Sequence, residues 1–254
     1  MMSAGLQGTV ALVTGASSGI GEATATALAA RGAAVACVAR RKDRLEALAG
    51  RIAAEGGDAR VVVADVTDSD QAHEAVEQAV RALGRLDILV NNAGALRRGP
   101  FLDGPVSDWE LMVRLNLLGS LYCAHAALPH LLRAAQDGPR EVADLVNVSS
   151  LSGRTVRKNS AVYNATKHAM NAYTESVRQE VASRRVRVSL VEPASVDTEL
   201  FTPEVRRMNM AETGATYRRL SAEDVADAIG YMVTRPRHVA ISDLLVRPTE
   251  QEQR

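Results

Sequence analysis

Apolar positions along the chain follow two alternating rhythms. Short unbroken runs rich in Val, Ile and Leu read as strands covered on both faces. Strands are therefore predicted at 9–15, 33–40, 59–66, 86–94, 144–150, 186–193 and 238–248. Between them, apolar residues recur every three to four positions, the period of an amphipathic helix. Helices are predicted at 20–32, 42–57, 71–84, from about 108 to 135, at 161–183 and at 222–234. Gly32 and the pair Gly56–Gly57 mark helix ends, and Pro129 predicts a kink. TDSD (67–70), SDWE (107–110) and SAED (221–224) each have the form of a capping box. Seven strands separated by helices predict a doubly wound, seven-stranded parallel sheet with helices on both faces. No break or repeat divides it, so 1–254 reads as a single domain. Residues 198–220 fit neither rhythm and are long for a connection, which reads as a flap over a ligand.

Composition narrows the function. A chain of 254 residues, 46% hydrophobic, is long enough for one full α/β core. Lys plus Arg and Asp plus Glu both total 30, which argues against a nucleic-acid or polyanion binder. Cys37 and Cys123 lie far apart in apolar surroundings and read as buried thiols of a reducing compartment. The opening MMSAGLQGTVALVTGASSG lacks a basic leader and cleavage pattern, and no apolar run reaches bilayer length. A cytoplasmic protein without a membrane partner is the expectation. The five histidines (73, 125, 130, 168, 238) are scattered without ligand spacing, so no metal site is expected.

TGASSGIG (14–21) follows the first strand and opens the first helix. Gly15 permits the tight turn, Gly19 lets backbone approach a pyrophosphate, and Gly21 lets the helix pack against the strand. The helix N-terminus supplies free N–H groups for an anion. At the end of the second strand an Asp or Glu would bond the ribose 2′-hydroxyl of NAD. Here Ala39 stands in that place, followed by Arg40 and Arg41, which suit a 2′-phosphate; the expected cofactor is NADP(H). In ADV (64–66), Asp65 either bonds the adenine amino group or caps the next helix.

TGASSGIG, NNAG (91–94), VSS (148–150), YNATK (163–167) and EPASVDT (192–198) occur in this order. The chain thereby resembles the short-chain dehydrogenase/reductase family from about residue 6 to 248. ARR (39–41), ALPHLLR (127–133) and VRPT (246–249) resemble the NADP-dependent branch that includes clavulanic acid dehydrogenase. The resemblance implies a Rossmann fold and a catalytic tetrad of Asn116, Ser150, Tyr163 and Lys167. Ser149 is the competing serine, and strand alternation points it the other way. The resemblance also implies cofactor contacts from Gly15, Ser17, Ser18, Gly19, Ile20 and Gly21 in the turn. Further contacts are implied from Arg40, Arg41, Asp65, Val66, Asn92, Ala93 and Gly94, and from Tyr163 and Lys167. Pro193, Val196 and Thr198 match the segment that holds the nicotinamide carboxamide. Ala194 departs from the family's Pro-Gly, and lacks glycine's access to positive φ.

These residues suit reduction of a carbonyl. A tyrosine four positions before a lysine shares its helix face. The phenol of Tyr163 can give a proton to oxygen, and a lysine ammonium nearby should lower its pKa from about 10. Lys167 would also bond the nicotinamide ribose, Ser150 would hold the substrate oxygen, and Asn116 would hold a water that links Lys167 to solvent. The expected function is interconversion of an aldehyde or ketone and an alcohol. A cofactor-binding sensor or scaffold, and a dehydratase or epimerase with the same tyrosine base, are the alternatives. Leu96, Arg97, Arg98, Leu151 to Arg154, Val156, Asn159 and the flap are the candidate substrate contacts. Arg97, Arg98 and Arg154 either meet a carboxylate or are surface charges. Long apolar helices at about 108–135 and 161–183 predict a homo-oligomer, and the family pattern favours a tetramer over a dimer.

Overall fold

The computed structural model describes residues 5–213 and 217–251. Seven strands form one sheet: β1 (Val10–Thr14), β2 (Ala34–Ala39), β3 (Asp58–Val63), β4 (Ile88–Asn91), β5 (Ala143–Val148), β6 (Val186–Pro193) and β7 (Asp243–Val246). Their order is β3-β2-β1-β4-β5-β6-β7 and every pairing is parallel. The helices are α1 (Gly19–Ala30), α2 (Lys42–Ala54), α3 (Ser69–Leu83), α4 (Val106–Met112), α5 (Gly119–Asp137), α6 (Ala161–Val181), α7 (Pro203–Thr213) and α8 (Ala222–Val233). This is a single-domain Rossmann fold with helices on both faces. The chain order reverses between β1 and β4, so the crevice that binds ligands in such folds opens at the carboxyl ends of those strands.

Strand alternation builds two cores. Val10 and Leu12 of β1, with Ala36 and Val38 of β2, face the layer of α3 and α5. Ala11, Val13, Val35 and Cys37 face the layer of α1, α2 and α8. Burial pushes the thiols of Cys37 and Cys123 up to about 12, so both are inert at neutral pH.

Several predicted element ends move. Asp68, not Thr67, caps α3 by accepting from the N–H groups of Asp70 and Gln71. Thr67 instead gives its hydroxyl to Asp65 at 2.8 Å. SDWE makes no capping box, because the helix begins two residues earlier, behind Pro105. SAED does: Ser221 and Asp224 bond each other's backbone N–H reciprocally. The last strand is the short edge piece 243–246 rather than 238–248. The 198–220 segment contains α7, and its residues 214–216 lie outside the described residues.

The expectation that no apolar run is long enough for a bilayer needs correction. A π-helical turn, Val113–Leu118, joins α4 and α5 into one helix, Val106–Asp137, which by length and composition alone could cross a membrane. Ser120, His125 and His130 interrupt its run in the sequence. In the fold its inner side packs against α3 and α6.

A charged layer closes the amino end of the sheet, opposite the crevice. Arg187 bonds Asp144 through Nε at 2.7 Å and Nη2 at 2.9 Å, across the β5–β6 pairing. Arg140 adds a bond to Asp144 at 2.8 Å. Asp87 accepts from the Val10 N–H at 2.9 Å and from Arg85 Nε at 2.8 Å.

Candidate active site

The glycine turn has the geometry its spacing predicts. Gly15 and Gly19 have φ of 67° and 57°, values that a side chain strains. Gly21 is needed for contact: a Cβ there would lie 2.4 Å from the Gly15 carbonyl oxygen and 2.5 Å from Asn92 Nδ2. Gly21→Ala is expected to destabilise the fold by about 1–3 kcal/mol in chemical denaturation, because backbone must shift to admit the methyl. Gly50→Ala, with nothing within 4 Å of the new Cβ, should instead be neutral or mildly stabilising.

Ser18 sits at the N-cap of α1 and makes no side-chain capping bond. Its hydroxyl accepts from Arg41 Nη2 at 2.7 Å, and that of Ser17 from Arg41 Nε at 3.1 Å. The first N–H groups of α1 are therefore left to an anion. Arg40, at the end of β2, lies 3.6 Å from Asp65. Asp65 is not the helix cap. It ties the turn after β3, accepting from the Thr67 N–H at 3.0 Å and from the Thr67 hydroxyl. Burial works against its charge, but those bonds and Arg40 outweigh it and hold its pKa below the ordinary value.

Thr14, at the end of β1, fixes the NNAG loop. Its Oγ1 accepts from the N–H groups of Asn92 at 3.0 Å and Ala93 at 3.1 Å. Asn116 lies in the π-turn, fully buried, and clamps the next residue of that loop. Its Oδ1 accepts from the Ala95 N–H at 2.7 Å, and its Nδ2 donates to the Ala95 carbonyl at 2.9 Å. Nδ2 also lies 3.3 Å from Thr166 Oγ1. The side chain is thus occupied by protein partners.

Tyr163 and Lys167 are buried on the inner face of α6. A polar ladder seats that helix on the sheet: Asn91 Nδ2 donates to Asn147 Oδ1 at 3.0 Å, and Asn147 Nδ2 to Thr174 Oγ1 at 2.8 Å. Lys167 Nζ donates to the Val148 carbonyl at 2.9 Å and lies 5.9 Å from the Tyr163 ring centre. Burial raises the Tyr163 phenol above its ordinary pKa, and the Ser150 hydroxyl offsets part of that rise. Burial also brings Lys167 down to about 8. The expectation that Lys167 depresses the phenol is therefore not met by the chain's own groups: burial raises it, and the bond with Ser150 is what lowers it. Ser149 points elsewhere, with its hydroxyl 2.6 Å from Asn171 Oδ1.

One cavity of about 490 Å³ joins these parts. It runs from the turn residues Gly15, Ser17, Ser18, Gly19 and Ile20 past Arg40, Arg41, Asp65 and Val66. It continues along Asn92, Ala93 and Gly94 to Ser150, Tyr163 and Lys167, with Pro193, Val196 and Thr198 on its far wall. Gly21 and Asn116 are the two predicted site residues that do not line it; both act from behind. Ala194 also lines it, with negative φ and its N–H on the Val246 carbonyl at 2.9 Å, so the absent glycine leaves no strain.

Leu96, Leu200 and Phe201 bring apolar surface to the cavity around Tyr163, and Met112 and Val205 back them. Arg97 and Arg98 also reach it, but each has protein partners: Arg97 lies 3.5 Å from Asp108, and Arg98 Nε donates to Ser160 at 2.9 Å. Arg154 is turned away, paired with the buried carboxylate of Glu192. Val156 is exposed and lies off the cavity, while Asn159 borders a smaller hollow beside it. The sequence reading missed Arg157, which lines the cavity with no side-chain partner among the described residues. It also missed Thr14, Asn171 and Glu192. Thr14 and Glu192 open the TGASSGIG and EPASVDT motifs at strand ends, and Asn171 lies on the inner face of α6, which is the usable signal.

The family profile described as short chain dehydrogenase matches residues 9–209. An uncharacterized oxidoreductase of Staphylococcus aureus (strain MRSA252) is 36% identical over 242 residues, covering 94% of this chain and 96% of the relative. A metagenomic short-chain oxidoreductase solved in complex with NADP is 32% identical, with a TM-score of 0.80, covering 96% of this chain and 99% of that one. A short chain dehydrogenase from Burkholderia cenocepacia J2315, also in complex with NADP, is 31% identical, with a TM-score of 0.83 and coverage of 95% and 97%. A profile match over most of the chain and a relative alike along nearly its whole length place this chain in the short-chain dehydrogenase family.

Proposed function

We propose that the protein is an NADP(H)-dependent oxidoreductase that interconverts an aldehyde or ketone and its alcohol, with Tyr163 as general acid and base. The observation that carries this reading is one cavity that holds Ser150, Tyr163 and Lys167 at one end and the uncapped α1 with Arg40 and Arg41 at the other. The fit to a dinucleotide is physical. A Cβ at Gly15 would meet the Ala93 backbone at 2.9 Å, so only glycine lets the turn run this close to the NNAG loop, and α1 keeps its first N–H groups for an anion. Two relatives solved with NADP support the choice of cofactor. The ARR, ALPHLLR and VRPT segments extend the reading to the branch that includes clavulanic acid dehydrogenase.

Bound NADPH supplies a hydride to the carbonyl carbon. The chain does the rest. Arg40 and Arg41 recognise the 2′-phosphate, and the N-terminus of α1 takes the pyrophosphate. Ser150 holds the substrate oxygen beside the phenol of Tyr163. Burial keeps the proton on that phenol until the oxygen becomes basic enough to take it. Lys167, held near 8, can return a proton to Tyr163 at working pH. Asn116 keeps the Ala95 loop in register with these groups. The segment from Thr198 through α7 acts as a flap, seated by Val205 on the cluster around Tyr163. Half-buried Leu118, Leu121 and Tyr122 on the long helix supply an apolar face for a homo-oligomer, with a tetramer favoured over a dimer.

Two outcomes follow for Lys167→Met. Turnover is lost, and the folded protein becomes more stable at neutral pH. The lysine binds its proton less well in the fold, at about 8, than in the unfolded chain, at 10.5. The burden of burying its charge is full below pH 8 and fades as pH climbs to 10.5. The gain should reach up to roughly 3 kcal/mol at pH 7 and vanish above pH 10.5, as read by denaturant unfolding across pH. The functional reading itself is tested by absorbance at the reduced-nicotinamide band with a panel of aldehydes and ketones. Oxidation that prefers NADPH over NADH is expected, and a preference for NADH would overturn the role of Arg40 and Arg41.

A further inference from the structure

We infer that Glu199 is an internal competitor for the 2′-phosphate: its carboxylate holds Arg41 of the cofactor site until the phosphate displaces it. This rests on the NADP(H) reading above. Glu199 Oε2 accepts from Arg41 Nη1 at 2.9 Å, and Oε1 pairs with Arg44 Nη1. The rest of the Arg41 fork is taken by the hydroxyls of Ser17 and Ser18. Glu199 is therefore the anion on a guanidinium already aimed at the glycine turn. A carboxylate oxygen and a phosphate oxygen accept from the same Nη1–H, so each can replace the other there.

The location supports exchange. Glu199 lines the same cavity as Arg40 and Arg41, and follows Thr198, whose methyl would lie 3.1 Å from a Cβ on Gly19. The bonds from Arg44 and Arg41 hold its carboxyl down at about 2, so it stays charged at any working pH. The side chains of Glu199 and Arg41 are 54% and 41% exposed. Ion pairs in that setting are weak, which suits a latch that a dianion can open rather than a fixed strut. Glu199 is also the tie between the start of the flap and α2. Once it is displaced, Asp197–Arg206 and the pairing of Val196 with Leu220 remain to anchor the segment.

The test uses the full-length protein and Glu199→Gln, with dissociation constants for NADPH, NADH and 2′,5′-ADP. The variant should bind NADPH and 2′,5′-ADP about three- to tenfold more tightly, the range of two weak pairs removed, with NADH unchanged. If the wild type prefers NADPH but the variant binds it equally or less well, Glu199 is no competitor, and the inference falls while the cofactor reading stands. If the wild type binds NADH as well as NADPH, both fall together. An equal gain for NADH and NADPH would also overturn the inference, since the effect would not lie at the 2′-phosphate.

Discussion

Tyr163→Phe is expected to lower kcat by at least ~10²–10⁴, the range of a lost general acid, while the fold and nucleotide binding persist. The phenyl ring keeps the packing of Tyr163 against Leu96, Met112 and Val205. The variant loses the hydroxyl and its bond to Ser150, and with them the general acid of the proposed reaction. The melting temperature should stay close to the wild type, and the dissociation constant for NADPH should change little. A variant that lost turnover because it unfolded would fail both controls. A variant that kept turnover would remove Tyr163 from the chemistry.

Asp144→Asn should have the largest effect on stability and little on the active site. Asp144 and Arg187 are both buried, and Asp144 also serves Arg140. Its charge neutralises two guanidinium groups at the closed end of the sheet. Breaking one side of a buried pair leaves an uncompensated charge, at about 3–5 kcal/mol. For a domain of this size that is a fall of roughly 10 °C in Tm. Three carbonyls, of Val233, Arg235 and Val239, also receive Arg187, and hold the loss toward the lower end. Because the cluster lies at the opposite end from the cavity, kcat at low temperature should be near normal. A double change, Asp144→Leu with Arg187→Met, should recover part of the stability, since it removes the more deeply buried orphan charge and leaves Arg140 without its carboxylate.

The sheet was legible because strands buried on both faces must be apolar throughout, and glycines with helical periods mark what lies between. The cofactor end of the cavity was legible for a related reason. Gly15, Gly19 and Gly21 answer a backbone requirement that few other residues meet, and their position after the first strand says where. What stayed hidden depends on tertiary partners. SDWE has the letters of a capping box, yet Pro105 starts the helix first. The π-turn that carries Asn116 changes hydrogen-bond register without a composition of its own. Arg97, Arg98, Arg154 and Arg157 are alike as letters. Only the fold shows that Arg154 pairs with a buried Glu192 while Arg157 faces the cavity. The shift of Tyr163 was misjudged for the same reason. Spacing gives the nearness of Lys167, but not the burial that moves both groups.

The central claim is transfer of a hydride to a carbonyl, and isotope transfer tests it most directly. NADPH deuterated at the transferring position of the nicotinamide would be incubated with enzyme and a carbonyl substrate from the panel, and the product analysed by mass spectrometry. One deuterium on the new alcohol carbon per cofactor oxidised is the predicted result. Product that forms without deuterium, with the cofactor recovered unoxidised, would contradict it and assign the tyrosine to an epimerase or dehydratase instead.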